Sequence, residues 1–80
     1  MFQFDLATPT EALFSGAIQS LAVPAEEGVV ELLPNHMPFM CFLKQGQVQL
    51  RNDQGVQSFS IDSGILYFLN NHCQILVSTS

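Results

Sequence analysis

Apolar and polar residues alternate with a period of two along four stretches of this 80-residue chain, at positions 2–7, 47–51, 58–61 and 72–78. Because successive side chains of a β-strand point to opposite faces, each stretch predicts a strand with one buried and one solvated face. Turn signals rich in Gly, Pro, Asn and Asp separate the stretches, with a spacing of roughly eight to ten residues. In the clearest turn signal, Gly55 is free to adopt a positive φ. The pattern predicts an all-β sandwich or barrel.

One part of the chain, residues 8–16, carries a competing helix signal. Thr8 could cap a helix, Pro9 could take its first position, and Glu11 would complete a capping box. Only three helix-compatible residues follow before the next turn signal, so the helix would have one turn and would not be stable. We therefore predict a turn that leads into a short strand.

Two segments, 39–43 and 65–69, break the alternation because every residue in them is apolar or aromatic. Continuous apolar strands have both faces covered, whereas a domain of this size has a single core. Charged residues make up 11% of the chain, compared with about 25% in an ordinary soluble domain. We therefore predict that a partner protein covers the second face of these strands. The alternative is ordinary exposure, since roughly half or more of a normal protein surface is apolar.

The charge balance disfavours several classes of partner. Two Lys and Arg against seven Asp and Glu give a formal net charge of −5. Lys44 and Arg51 alone would not neutralise a nucleic-acid backbone or bind an anionic membrane surface. No apolar run approaches the ~20 residues of a membrane span, so we expect no direct insertion into lipid. The N-terminus also lacks the basic start of a secretion signal.

The two cysteines, Cys41 and Cys73, both lie in apolar stretches. This placement is typical of buried thiols in a reducing compartment. One disulfide between them stays open as an alternative.

Few residues are arranged for chemistry. Two His and two Cys match a zinc site in number but not in spacing, because His72 and Cys73 are neighbours on one predicted strand and point to opposite faces. His36 could act as a base with Glu27 or Glu31, but no nucleophile motif or glycine-rich phosphate loop accompanies it. We expect no catalytic residue, no metal and no cofactor. A hydrolase or metal enzyme that uses His36 or His72 is the remaining alternative.

Glu26, Glu27 and Glu31 form the one cluster of charge in the sequence. A solvated loop at the start of a strand would explain such a cluster. An acidic lip that faces a basic partner would explain it as well, and charge complementarity of that kind sets encounter rate and register more than affinity. Both interpretations stay open at this point.

Five motifs follow one another in a specific order. They are TPTEALFSG at 8–16, VPAEEG at 23–28, LLPNHMP at 32–38, LKQG at 43–46 and IDSGIL at 61–66. In this order and at these spacings, the chain resembles over essentially its whole length the N-terminal β-sandwich of the ATP synthase epsilon-subunit family, homologous to the mitochondrial delta subunit. The resemblance implies a ten-stranded antiparallel β-sandwich of two five-stranded sheets, as a single domain over residues 1–80.

The resemblance also implies a function without chemistry. In that family the sandwich belongs to a non-catalytic subunit of the central stalk, the rotor, of a rotary F-type ATP synthase. It binds the gamma subunit and the polar loops of the membrane c-ring, and so couples proton or sodium translocation to ATP synthesis. The implied location is the cytoplasmic face of the cell inner membrane, as a peripheral part of the complex.

The family commonly adds a C-terminal helical hairpin, which inhibits ATP hydrolysis and in some members binds ATP. The 80 residues contain no match to that hairpin. If 80 residues is the natural length of the protein, we expect no C-terminal helical domain, no inhibition of that type and no nucleotide site.

The resemblance carries over two groups of interaction residues, one for each partner. The loop that faces the c-ring corresponds to Glu26, Glu27, Gly28 and Val29, and the segment that lies towards gamma corresponds to His36, Met37, Pro38, Phe39 and Met40.

The chain departs from the family pattern at or next to some of these positions. Val29 often corresponds to an acidic residue and Glu31 to Gly, so the acidic charge is moved by two positions and Glu31 joins the expected interaction residues. Asn35 stands where the family usually has Gly, and Asn tolerates a positive φ there.

A different class of function stays open beside this one. A free-standing β-sandwich could bind a small ligand in a cleft lined by Phe39, Tyr67 and Phe68. A deep pocket lined by these side chains would favour the ligand-binding module, and a flat apolar face would favour the stalk subunit.

Overall fold

The computed structural model describes residues 1–78, which form nine β-strands. In chain order the strands are β1 (Phe2–Ala7), β2 (Ala12–Ile18), β3 (Ser20–Ala25), β4 (Gly28–Leu32), β5 (Phe39–Leu43), β6 (Gly46–Asn52), β7 (Gly55–Ile61), β8 (Ser63–Leu69) and β9 (His72–Ser78). These residues contain no helix, and so none that could cross a membrane. The predicted all-β class is confirmed, and the four alternating stretches fall in β1, β6, β7 and β9.

Hydrogen bonding joins the strands into one continuous, curled path, β2-β1-β9-β8-β5-β3-β6-β7, with β4 paired to the other side of β3. The link between β5 and β3 is a single pair, Leu43 with Ala25. The path therefore divides into a five-stranded part (β2-β1-β9-β8-β5) and a four-stranded part (β4-β3-β6-β7). Ten strands in two five-stranded sheets are not confirmed, since the described residues provide nine.

One pairing differs from the antiparallel arrangement that the family resemblance implies. β1 and β9 are parallel, whereas the other strand pairs in residues 1–78 are antiparallel. Parallel neighbours require a long connection, and almost the whole chain lies between these two strands. Their pairing is thus a tertiary contact that no local turn signal reveals.

A single hydrophobic core lies between the two parts, and both contribute to it. Side chains at every second position are buried, as in β1, where Phe2, Phe4 and Leu6 are at most 2% exposed. Within residues 1–78 no polar or charged side chain is buried. The buried apolar residues of the other strands are Ile18, Leu21, Val23, Ala25, Leu32, Leu43, Val48, Leu50, Ile61, Leu66, Phe68, Cys73, Ile75 and Val77.

Aromatic contacts bring the two end strands of the curled path together. Phe14 on β2 lies 6.3 Å from Phe59 on β7, between ring centroids. The Phe14 ring also lies 5.7 Å from Phe4 in the core. Aromatic pairs at about 4.5–7 Å are favourable, so this cluster helps to close the curl around the core.

The turn at residues 8–11 resolves the competing helix signal in favour of a strand. The hydroxyl oxygen of Thr8 accepts a hydrogen bond from the N–H of Glu11, N···O 3.1 Å, and the N–H of Thr8 donates to the carbonyl of Glu11. β2 begins at the next residue, as predicted. The hairpin turn before β7 is also confirmed, since Gly55 has a φ of 115°.

The two cysteines are both free thiols. β8 lies between their strands, β5 and β9, and two strand spacings separate them by ~10 Å. A disulfide tolerates a Cα separation of no more than ~7 Å. The disulfide that the sequence left open is therefore not formed. Cys73 is fully buried, and this burial raises the pKa of its thiol to about 12.

Candidate interaction surface

The two unbroken apolar segments become the neighbouring strands β5 and β8. Side chains on one face enter the core, and those on the other face stay in solvent. Met40 and Phe42 on β5 are 54% and 55% exposed, Tyr67 and Leu69 on β8 are 48% and 56% exposed, and Leu76 on β9 is 50% exposed. With the half-buried Ile65, we call this surface the outer apolar face; its residues are Met40, Phe42, Ile65, Tyr67, Leu69 and Leu76.

The register of the strands makes the outer apolar face contiguous. Met40 lies opposite Tyr67, and Ile65 lies between Phe42 and Leu76. Strand spacing and rise give a patch ~10 Å across three strands and ~14 Å along them. The domain itself leaves this face uncovered. Contiguous exposed apolar patches of this kind mark interaction sites.

Phe39 and Phe68 belong to the opposite face of the same strands. Phe68 is 2% exposed and its ring centroid lies 5.3 Å from that of Phe2, while Phe39 is half-buried against the core. An open depression of about 790 Å³ at the end of β8 touches Phe39, Tyr67 and Phe68, but Phe68 has almost no exposed surface to offer a ligand. The three rings therefore do not form the deep cleft that a ligand-binding module requires.

The acidic residues lie on a hairpin beside the outer apolar face. Glu26 and Glu27 form the exposed turn between β3 and β4, and the N–H of Glu26 donates to the carbonyl of Phe42, N···O 3.2 Å. This hydrogen bond places negative charge at the Phe42 end of the face. Further along β4, Val29 and Glu31 point outwards, and Val29 is 78% exposed. The residues expected to face the c-ring thus lie together on one exposed hairpin.

The segment expected to face gamma is divided between a loop and a strand. Residues 36–38 lie in the loop between β4 and β5, and Phe39 and Met40 begin β5. The His36 ring packs edge-on against Phe39, with centroids 5.6 Å apart, and its Nδ1 lies 2.7 Å from the carbonyl oxygen of Met37. Met37 is 72% exposed. Met37 and Met40 therefore present apolar surface, whereas His36 and Phe39 support it from behind.

A polar cluster on β1, β2 and β9 borders the outer apolar face. The carboxylate of Asp5 accepts a hydrogen bond from the Ser15 hydroxyl at 2.6 Å, and its other oxygen lies 2.5 Å from Nε2 of His72. The Ser15 hydrogen bond, followed by the His72 contact, holds the pKa of the Asp5 carboxyl below its usual value. Ser15 and His72 bind opposite oxygens of one carboxylate. The Ser15 hydroxyl is therefore not hydrogen-bonded to the His72 imidazole, and the cluster lacks the serine–histidine pair of a nucleophilic site.

The structure offers no support for the metal-enzyme alternative either. No three His, Cys, Asp or Glu side chains among the 78 described residues converge on a possible metal position. His36 instead contacts a backbone carbonyl and two phenylalanine rings.

Sequence reasoning misses four members of the outer apolar face, which are Phe42, Ile65, Leu69 and Leu76. Two features of the sequence point towards them: the absence of alternation in β5 and β8, and the apolar Leu76, which lies on the same side of β9 as the polar residues Gln74 and Ser78. Neither signal says which side of an apolar run turns inwards, because that depends on pairing with distant strands.

Comparison with known proteins places the whole chain in one family. Residues 1–80 match the family described as ATP synthase, Delta/Epsilon chain, beta-sandwich domain. An ATP synthase epsilon chain of Chlorobium limicola is 32% identical over 76 residues, which are 94% of this chain and 86% of that one. An epsilon chain of Ruthia magnifica subsp. Calyptogena magnifica is 36% identical over 62 residues, which are 78% of this chain and 45% of that one. The chain spans about half the length of several other epsilon chains that it matches.

Solved structures share the fold. A chain in the cryo-EM structure of the Tetrahymena thermophila mitochondrial ATP synthase central stalk/c-ring superposes with a TM-score of 0.80 at 19% identity, covering 95% of this chain and 62% of that one. A chain in the Euglena gracilis mitochondrial ATP synthase OSCP/F1/c-ring structure gives a TM-score of 0.85 at 17% identity, covering 92% of this chain and 48% of that one. At these identities the likeness concerns the fold.

Proposed function

Because the chain belongs to the family of ATP synthase delta/epsilon chains, in their β-sandwich domain, we propose that it is a non-catalytic rotor subunit of the central stalk of a rotary F-type ATP synthase. It links the gamma subunit to the membrane c-ring and transmits torque between them. It works peripherally at the cytoplasmic face of the inner membrane. A closely packed sandwich suits this task, since protein interiors deform little.

The outer apolar face is the observation that carries this function. Five of its side chains are about half exposed to solvent. The chain has few charged residues that would keep such an apolar surface soluble without a partner. A standard interface buries ~800 Å² on each partner. A patch of ~10 by ~14 Å supplies the centre of such an interface, and the neighbouring loop at residues 36–38 supplies part of its rim. We place gamma on this surface.

Charge favours a different protein over a second copy of this chain as the partner. The net charge is −5, and Glu26 lies beside Phe42 at the edge of the outer apolar face. Two copies that met through this face would bring like charges together, which costs free energy. The partner that fits has an apolar centre and cationic side chains opposite Glu26.

The exposed β3–β4 hairpin leaves a second surface for the c-ring. Val29 and Glu31 point outwards from β4, which lies in the four-stranded part, away from the outer apolar face. Glu26, Glu27 and Gly28 form the tip of this hairpin. The subunit therefore has two surfaces for two partners, and these surfaces adjoin at Glu26.

A binding measurement with the gamma subunit of the same organism tests the function. Wild-type chain should co-elute with gamma in size exclusion at micromolar concentration. Tyr67→Asp places a charge at the centre of the outer apolar face and should weaken binding by about thirtyfold or more, the loss expected for a central aromatic anchor. Val56→Asp is the matched control, because Val56 is also an exposed apolar residue, at 59%, and lies on β7 in the other part.

The control should bind gamma within about twofold of wild type, as expected for a position outside the interface. Wild-type chain that fails to co-elute would overturn the function. Equal binding by Tyr67→Asp and wild type would show that gamma docks elsewhere.

A further inference from the structure

Two asparagine side chains tie the loop between β4 and β5 to the turn between β8 and β9. The N–H of Asn35 donates to Oδ1 of Asn71 at 2.6 Å, and Nδ2 of Asn71 donates to Oδ1 of Asn35 at 2.9 Å. The two residues are 36 positions apart in the chain. We call this reciprocal pair of hydrogen bonds the asparagine clasp.

The backbone conformation at both positions suits asparagine. Asn35 has a φ of 67° and Asn71 a φ of 57°, both in the left-handed region. Glycine adopts this region freely, and asparagine is among the few other residues that visit it routinely. Asparagine at both sites thus permits the turns and also provides the amides of the clasp, which glycine would not.

The other hydrogen bonds of the loop between β4 and β5 join residues within the loop itself. The N–H of His36 donates to the carbonyl of Leu33 within the loop, and the His36 ring contacts the carbonyl of Met37 next to it. Of the loop's hydrogen bonds seen in the described part of the chain, those of the clasp cross to another strand connection. The His36 ring also packs on the rings of Phe39 and Phe68.

From this geometry we propose that Asn71 is a positioning residue for partner docking. Through the clasp it holds the loop in place, so that Met37 and Pro38 form the margin of the outer apolar face before gamma arrives. This role rests on the proposed function. A loop that is ordered in advance does not lose conformational freedom on binding, and the affinity is higher by that amount.

Asn71→Gly is the test variant, because glycine keeps the positive φ and removes both hydrogen bonds of the clasp. Asn70→Gly is its matched control, since Asn70 is adjacent, has a φ of 53° and takes no part in the clasp. Asn71→Asp is the rescue variant, because its carboxylate accepts from the Asn35 N–H and from the Asn35 amide once that amide turns over. Asn35→Gly removes half of the clasp and serves if Asn71→Gly fails to fold.

Hydrogen exchange at the His36 amide measures the order of the loop, since this N–H is bonded within the loop and not to Asn71 itself. Asn71→Gly should accelerate that exchange by roughly tenfold and weaken gamma binding by roughly two- to tenfold. Asn70→Gly should change neither quantity, and Asn71→Asp should restore both.

Unchanged His36 exchange in Asn71→Gly would show that the clasp does not hold the loop. Faster exchange with unchanged gamma affinity would reduce the clasp to a structural contact and overturn the docking role. If wild-type chain does not bind gamma at all, the proposed function fails and the docking role fails with it. The exchange comparison alone would then still decide whether the clasp orders the loop.

Discussion

Substitution of the neighbours Phe68 and Tyr67 separates folding from docking. Phe68→Ala removes a ring that is 2% exposed and lies 5.3 Å from the ring of Phe2. Such a change costs about 3–5 kcal/mol of unfolding free energy. A domain of 80 residues has a total stability of about 4–12 kcal/mol, so the loss is a large share. At about 4–8 °C per kcal/mol, the melting temperature should fall by about 12–40 °C.

Tyr67→Ala is the matched substitution one residue away, on the exposed side of β8. It should change the unfolding free energy by no more than about 0.5 kcal/mol, while it weakens gamma binding. Urea titrations followed by far-ultraviolet circular dichroism measure both variants in the same way. Phe68→Leu keeps most of the buried volume and serves if Phe68→Ala does not fold. A Tyr67→Ala loss as large as that of Phe68→Ala would refute the assigned inward and outward faces.

Three further predictions concern backbone fit, pH and thiol reactivity. Gly64→Ala should lower the unfolding free energy by about 1–3 kcal/mol in calorimetry, because the added Cβ would lie 2.9 Å from a backbone oxygen of β9. Gly16→Ala should be neutral or stabilising, because the nearest contact of its Cβ would be at 3.6 Å. Equal losses of unfolding free energy in the two variants would contradict this reasoning. Because the folded-state pKa of Asp5 is lowered, its contribution to stability is present above the unfolded value of ~3.9 and is lost as the pH falls below it. Between pH 5 and pH 3, the melting temperature of the Asp5→Asn variant should therefore fall by less than that of wild type. An equal fall in both proteins would refute the role of the carboxylate. Burial raises the pKa of both thiols, that of Cys73 to about 12, so a thiol reagent at pH 8 should modify the half-buried Cys41 first and reach Cys73 only on unfolding; equal rates would exclude the assigned burial.

The strands were predictable because their signal is local. The alternation in β1, β6 and β9 states directly which side chains are buried, and the structure buries those side chains. The turn at Thr8 was predictable for the same reason, since too few residues follow it to sustain a helix. The number of strands and their division into two parts were not predictable in this way, because a single pair, Ala25 with Leu43, links the two parts.

The candidate surface was predictable in kind but not in its membership. The unbroken runs in β5 and β8 indicate that apolar side chains would be left over after the core was filled, and the outer apolar face shows them. The assignment of individual rings required the register of β8. That register turns Phe68 inwards and Tyr67 outwards, and it brings Leu76 from β9 into the same patch.

By itself, the sequence determined the all-β class, the positions of most turns and the surplus of apolar side chains, because a period of two and the turn preferences of Gly, Pro and Asn act over a few residues. Only the tertiary structure decided which face of each apolar strand meets the core, since a shift by one residue would exchange the two faces. It also decided the parallel pairing of β1 with β9, the contact of Asp5 with His72 and the clasp of Asn35 with Asn71. Each of these joins groups that are distant in the chain, and their meeting depends on how the whole sheet curls around its core.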